Sequence, residues 1–126
     1  MNEKAKLILR IILGLALVVF GANKFLGFLP IPEMAEEAGT FMGALAATGY
    51  MIPLIGIVEM VTGALILAGL FVPLALVLLA PVLVNIVLFH LFLDPGGILP
   101  GLILTILALI LMFAHFGSYR PLLRAK

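Results

Sequence analysis

The sequence predicts an all-α membrane protein: a transmembrane four-helix bundle with a short surface helix between spans 1 and 2. Three observations carry this. Hydrophobic residues make up 65% of the 126 positions and charged residues 10%, with a mean hydropathy of +1.39. That leaves too little polar sequence to cover a water-facing surface. Four apolar runs each reach about twenty residues, the length that crosses a hydrocarbon core. Backbone N–H and C=O groups in lipid must pair within their own segment, so each run is a helix.

The first run covers about residues 6–28 and is apolar apart from Arg10, Asn23 and Lys24. Lys4 and Lys6 give it the start of a signal peptide. Its apolar stretch is too long for one and lacks a small-residue cleavage site, so it is read as a retained span. Pro30 and Pro32 then end the helix, and Glu33, Glu36 and Glu37 suit the first turn of the next. Met34, Ala38, Phe41 and Leu45 follow at helical spacing, and Gly49 can stop them. This segment, about 32–48, is too short and too acidic to span, which places it at the membrane surface or folded over the bundle.

The second span, about 52–71, is interrupted only by Glu59 and Thr62. Gly69 supplies a helix stop and Pro73 a helix start. The third, about 73–93, contains Asn85 and His90, and Asp94-Pro95-Gly96-Gly97 breaks the chain after it. The fourth, about 98–116, contains Thr105 and His115. The whole of 1–126 is expected to form one membrane domain.

With four spans both chain ends share one side, and six of the seven basic residues collect there: Lys4, Lys6, Arg10, Arg120, Arg124 and Lys126. The positive-inside rule assigns that side to the cytoplasm, and the acidic connection and Asp94 to the outer face. A net charge of +1 without a basic run argues against a nucleic-acid partner. The absence of cysteine excludes disulfide exchange and thiolate catalysis by this chain alone. His90 and His115 fall at opposite faces, so no shared metal site is expected.

Glu59 is the most informative residue. An ionised carboxylate near a bilayer midplane costs roughly 3 kcal/mol or more, so the fold must use or satisfy it. At 1.5 Å per residue Glu59 and Asn85 both lie about 12 Å below the outer surface. Asn23 and Lys24 lie in the last turns of span 1, and His90 one turn from the outer end of span 3. The expected ligand-binding set is therefore Glu59, Lys24, Asn85, Asn23 and His90, in the outer half of the bundle. Lys24 and Glu59 can pair if Asn23 or Asn85 completes their hydrogen bonds. Gly56 and Gly63 would admit a neighbouring backbone or a ligand close to Glu59. Plainer readings stand beside these: interhelical glue for Glu59 and Asn85, snorkelling for Lys24, interfacial placement for His90 and His115, and turn chemistry for Asp94. Arg10 is read as anchoring or snorkelling at the inner boundary.

The chain resembles the DoxX family of small four-span bacterial membrane proteins over almost its full length. The likeness lies in Arg10-Ile11-Ile12-Leu13-Gly14-Leu15, Phe20-Gly21-Ala22-Asn23-Lys24-Phe25, Ile57-Val58-Glu59 with Gly63, Ala80-Pro81, Asn85 to His90 with Phe89, and Tyr119-Arg120-Pro121-Leu122. It implies a four-helix membrane bundle in the bacterial inner membrane. Some members are associated with thiosulfate:quinone oxidoreductases or with membrane oxidoreductase complexes. Related four-span proteins act as assembly factors or trafficking receptors. Vitamin K epoxide reductase also builds a quinone site in a four-helix bundle, but it needs cysteines this chain lacks.

Two functions are expected from these observations. The first is an outward-facing polar pocket for a quinone-like or lipid-like ligand in a subunit of a membrane redox complex, with no covalent cofactor. The second is a non-enzymatic scaffold or assembly factor for a membrane or periplasmic protein partner. An oligomer is compatible with either. A transporter is disfavoured, because the spans show neither an internal repeat nor paired broken helices.

Overall fold

The first helix begins at Asn2, whose Oδ1 accepts a hydrogen bond of 2.8 Å from the Lys4 backbone N–H. A computed structural model describes residues 1–126 and contains helices, turns and irregular connections but no strand. Helix α1 runs over Glu3–Leu26 and closes on Gly27, in the left-handed conformation at φ 61°. Helix α2 covers Glu36–Ala47, starting some four residues later than its sequence suggests. Pro30 and Pro32 hold their predecessors extended, and Ala35 at the N-cap makes no side-chain capping hydrogen bond. Glu33 accordingly lies ahead of the helix instead of in its first turn.

Helix α3, Met51–Ala68, stops at Gly69, where φ is +77°. A short link leads into α4, Val72–Phe92, with Pro73 in its first turn where a missing N–H costs nothing. A 3₁₀ turn over Pro95–Gly97 leads into α5, Ile98–Ala114. The chain ends with the short α6, Phe116–Tyr119, and a 3₁₀ turn over Arg120–Leu123.

The four long helices are each apolar enough to cross a membrane. They form a ring in which α1 packs on α3, α3 on α4, α4 on α5, and α5 back on α1. Leu13 and Leu17 of α1, Ile66 of α3, Leu76 and Leu79 of α4, and Leu111 of α5 fill its centre. Only 19 of 126 residues are buried, and large apolar side chains such as Leu15, Leu54, Val84 and Ile106 point outward from all four helices. Such an exterior is untenable in water and is the expected lipid contact of a membrane bundle. The protein is an integral membrane protein with a lipid-facing apolar surface.

The seam between α1 and α3 is the tightest part of the ring, and glycine makes it so. A Cβ built on Gly14 would stand 2.7 Å from the Gly63 carbonyl oxygen, and one on Gly21 would stand 2.7 Å from that of Gly56. The two pairs lie seven residues apart on antiparallel helices, so the backbones are in contact along two turns. In lipid, where burying apolar area gives no drive to associate, this close packing is what joins the helices.

Candidate functional site

The glycine seam sets the position of the ion pair. Lys24 lies one turn beyond Gly21 on α1, and Glu59 lies one turn beyond Gly56 on α3. Because Gly56 has no side chain, the Lys24 stem passes over it: a Cβ at 56 would stand 3.2 Å from Lys24 Cβ and 2.9 Å from Phe25 Cε2. Lys24 Nζ then reaches Glu59 Oε1 at 2.5 Å. Glu59 is 2% exposed, whereas the Lys24 side chain is 24% exposed. The carboxylate is thus sealed inside the seam and the ammonium half-seals it from outside.

The pair is short of hydrogen bonds. Glu59 Oε1 is buried with the ammonium against it but without an aligned donor. Lys24 Nζ has three N–H groups, and Glu59 is the one side chain that it touches as an ion pair. The expectation that Asn23 or Asn85 completes the pair is not met. Asn23 Oδ1 accepts from the Leu29 backbone N–H at 2.8 Å, pinning the turn that follows α1. Asn85 is exposed on α4, and its amide donates to the Pro81 carbonyl at 2.8 Å. Both amides are drawn to a local backbone acceptor or donor, which a short side chain reaches more easily than a neighbouring helix.

His90 forms a separate cluster at the end of α4. Its Nδ1 lies 3.3 Å from the Asp94 carbonyl and 3.8 Å from Asp94 Oδ2. The Phe89 ring meets it edge-on at 5.0 Å, and Phe41 of α2 lies 5.7 Å from Phe89. The five residues singled out from sequence therefore fall into three groups: Lys24 and Glu59 together with Asn23 adjacent in the chain, His90 with Asp94 and the aromatics, and Asn85 alone on an exposed face. An apolar groove of about 210 Å³ is lined by Ile57, Val58, Val61, Thr62 and Leu78. Its one polar side chain, Thr62, donates its hydroxyl back to the Val58 carbonyl at 2.7 Å. Glu59 is not among its walls, so groove and ion pair are distinct features.

Sequence reasoning missed the role of Arg10. Its Nε donates to the Ile66 carbonyl at 3.0 Å and its Nη2 to that of Leu67 at 3.4 Å. Arg10 thereby caps the C-terminal end of α3, where carbonyls lack intrahelical partners and the helix dipole favours a cation. Gly69 makes room, since a Cβ there would stand 2.7 Å from Arg10 Nη2. An arginine one turn inside an apolar span, with a helix end at matching depth on the next span, was the available signal.

The DoxX family model matches residues 5–91, from the start of α1 to the end of α4. No curated protein and no solved structure matches the chain.

Proposed function

The chain belongs to the DoxX family, and on that footing we propose that the Lys24–Glu59 pair anchors a quinone-like or lipid-like ligand, in a subunit of a membrane redox complex. The supporting observation is an ammonium that is fixed on one side by a buried carboxylate and open on the other. Its spare N–H groups suit a ligand carbonyl or head-group oxygen arriving from the leaflet around Phe25 and Met60. A hydrogen bond to a charged donor is worth about 1.5–3 kcal/mol, and more in surroundings of low dielectric. Glu59 is then the positioning residue and Lys24 the one that touches the ligand. A bound quinone would supply the redox chemistry, and electrons would pass to or from a partner subunit. With the basic chain ends in the cytoplasm, this site opens toward the outer face of the bacterial inner membrane.

A photoreactive quinone incorporated with the full chain in nanodiscs tests this. Labelling is expected on α1 and α3 around Phe25 and Met60, and is expected to disappear in Lys24→Gln while surviving in Lys24→Arg. Labelling spread evenly over the lipid-facing surface, or unchanged in Lys24→Gln, would overturn it.

A second reading has its own observation. Helix α2 buries Ala38 alone and leaves Glu36 and Glu37 exposed, with Phe41 only partly covered. A helix held so loosely is suited to docking a membrane or periplasmic partner, as a scaffold or assembly factor would. Pull-down of the chain with and without residues 33–48 separates the readings: a stable partner lost with that segment while quinone labelling persists favours the scaffold.

A further inference from the structure

At the end of the bundle opposite α2, α4, α5 and α6 flank an open apolar groove of about 380 Å³. It falls in the range of about 300–1,000 Å³ typical of small-ligand clefts. Val77 of α4, Leu109 and Phe113 of α5, Phe116 and Tyr119 of α6, and Leu122 are among its walls. The Tyr119 hydroxyl donates to the Pro73 carbonyl at 2.8 Å and so fixes the chain end across the groove. Arg120 stands at the rim, its guanidinium carbon 5.7 Å from the Phe116 ring centre.

The charge around this groove is uncompensated. Arg10 is committed to α3 carbonyls, and Lys6 lies 3.4 Å from Glu3. Arg120, Arg124 and Lys126 form no salt bridge: of the six acidic residues, Glu3 faces Lys6, Glu59 faces Lys24, Asp94 lies by His90, and Glu33, Glu36 and Glu37 lie in or just before α2 at the other end. A cation at the rim, Arg120, and two more, Arg124 and Lys126, that follow the groove-lining Leu122 and Leu123 in the chain match an amphiphile with an anionic head and an acyl chain. A second copy of the chain would bring the same cations to the same place and be repelled.

We propose that this groove binds an anionic phospholipid, with an acyl chain along Val77, Leu109 and Phe113 and the phosphate on Arg120 and Arg124. Basic pockets at the ends of membrane helices hold such head groups through charge that falls off within a Debye length, so the rim arginines dominate.

The test is native mass spectrometry of the full chain in neutral detergent with equimolar phosphatidylglycerol and phosphatidylcholine of the same acyl chains. Phosphatidylglycerol is expected to be retained in preference, by about fivefold for each rim arginine. Arg120→Gln with Arg124→Gln should bring the two lipids to parity, and the two Lys replacements should keep most of the preference. Val77→Trp, which fills the groove without altering charge, should lower retention of both lipids. Inorganic phosphate should not displace the lipid. Equal retention in the parent chain, a preference indifferent to the two Gln replacements, unchanged retention in Val77→Trp, displacement by phosphate, or a lipid-free dimer would each overturn the proposal. None of these variants touches Lys24 or Glu59, so this result and that of the quinone experiment are independent.

Discussion

Replacing Gly21 with alanine adds one methyl group and should damage both the bundle and the ion pair. The new Cβ would lie 2.7 Å from the Gly56 carbonyl oxygen, 2.7 Å from Met60 Cγ and 2.9 Å from Met60 N. Non-bonded heavy atoms are comfortable at about 3.5–4.0 Å, so α1 must retreat from α3 by about 1 Å. Two of the three obstacles are backbone or near-backbone atoms of a helix and cannot rotate away. Overpacking of this kind costs about 1–3 kcal/mol. Lys24 lies one turn further along α1, so the same retreat draws its ammonium away from Glu59. Gly43→Ala in α2 is the control, because a Cβ there meets nothing within 4 Å. It should stabilise slightly, by up to about 1 kcal/mol of helix propensity. Reversible unfolding of the full chain in mixed micelles, followed by far-ultraviolet circular dichroism, measures both. If Gly21→Ala proves as harmless as Gly43→Ala, close backbone contact is not what joins α1 to α3.

The ion pair should respond asymmetrically. Lys24→Met strands a buried carboxylate and should cost about 3–5 kcal/mol, whereas Glu59→Gln leaves an ammonium that can turn to water and should cost less. The double variant Lys24→Met with Glu59→Leu should recover most of the loss in the same unfolding measurement, and no recovery would deny the pairing. Arg10→Ala removes charged donors from two α3 carbonyls and should cost about 1.5–3 kcal/mol per bond at most. Faster amide exchange at the end of α3 would report it, and unchanged exchange would contradict the cap. Burial holds the Tyr119 phenol above its ordinary value of 10.0. The unfolded chain therefore loses that proton first as pH rises, so the stabilisation is complete below about pH 10 and is lost as the pH passes through the folded value. In Tyr50→Phe, tyrosinate absorbance should show Tyr119 ionising late, and ionisation at the ordinary value would show it to be undocked.

The helical framework is legible in the sequence because lipid removes alternatives. Any apolar run of about twenty residues must satisfy its own backbone, and Gly69, Pro73 and Asp94 mark where the chain can turn. The start of α2 is less legible, because Glu33 has the charge for a first turn while its neighbours Pro32 and Ala35 supply no cap. For the site, depth along a helix is readable and rotation about it is not. Glu59 and Asn85 share a depth, but a helix face decides who meets whom, and Asn85 turns outward while Glu59 turns in. Gly56 and Gly63 pointed to the seam, and their partners Gly14 and Gly21 at the same seven-residue interval held the other half of that signal. Arg10 looked like an anchor because its acceptors are backbone carbonyls, which carry no mark in a sequence.

The measurement that bears most directly on the Lys24–Glu59 anchor is the occupancy of co-purified small molecules on the full chain released from nanodiscs of native membrane. In a Val77→Trp background, which keeps lipid out of the groove at the other end, the chain should carry a quinone or lipid in stoichiometric amount, Glu59→Gln should lose it in large part, and Lys24→Gln should lose it altogether with the fold intact by circular dichroism. A folded Lys24→Gln chain that keeps the same molecule at the same occupancy would contradict the account.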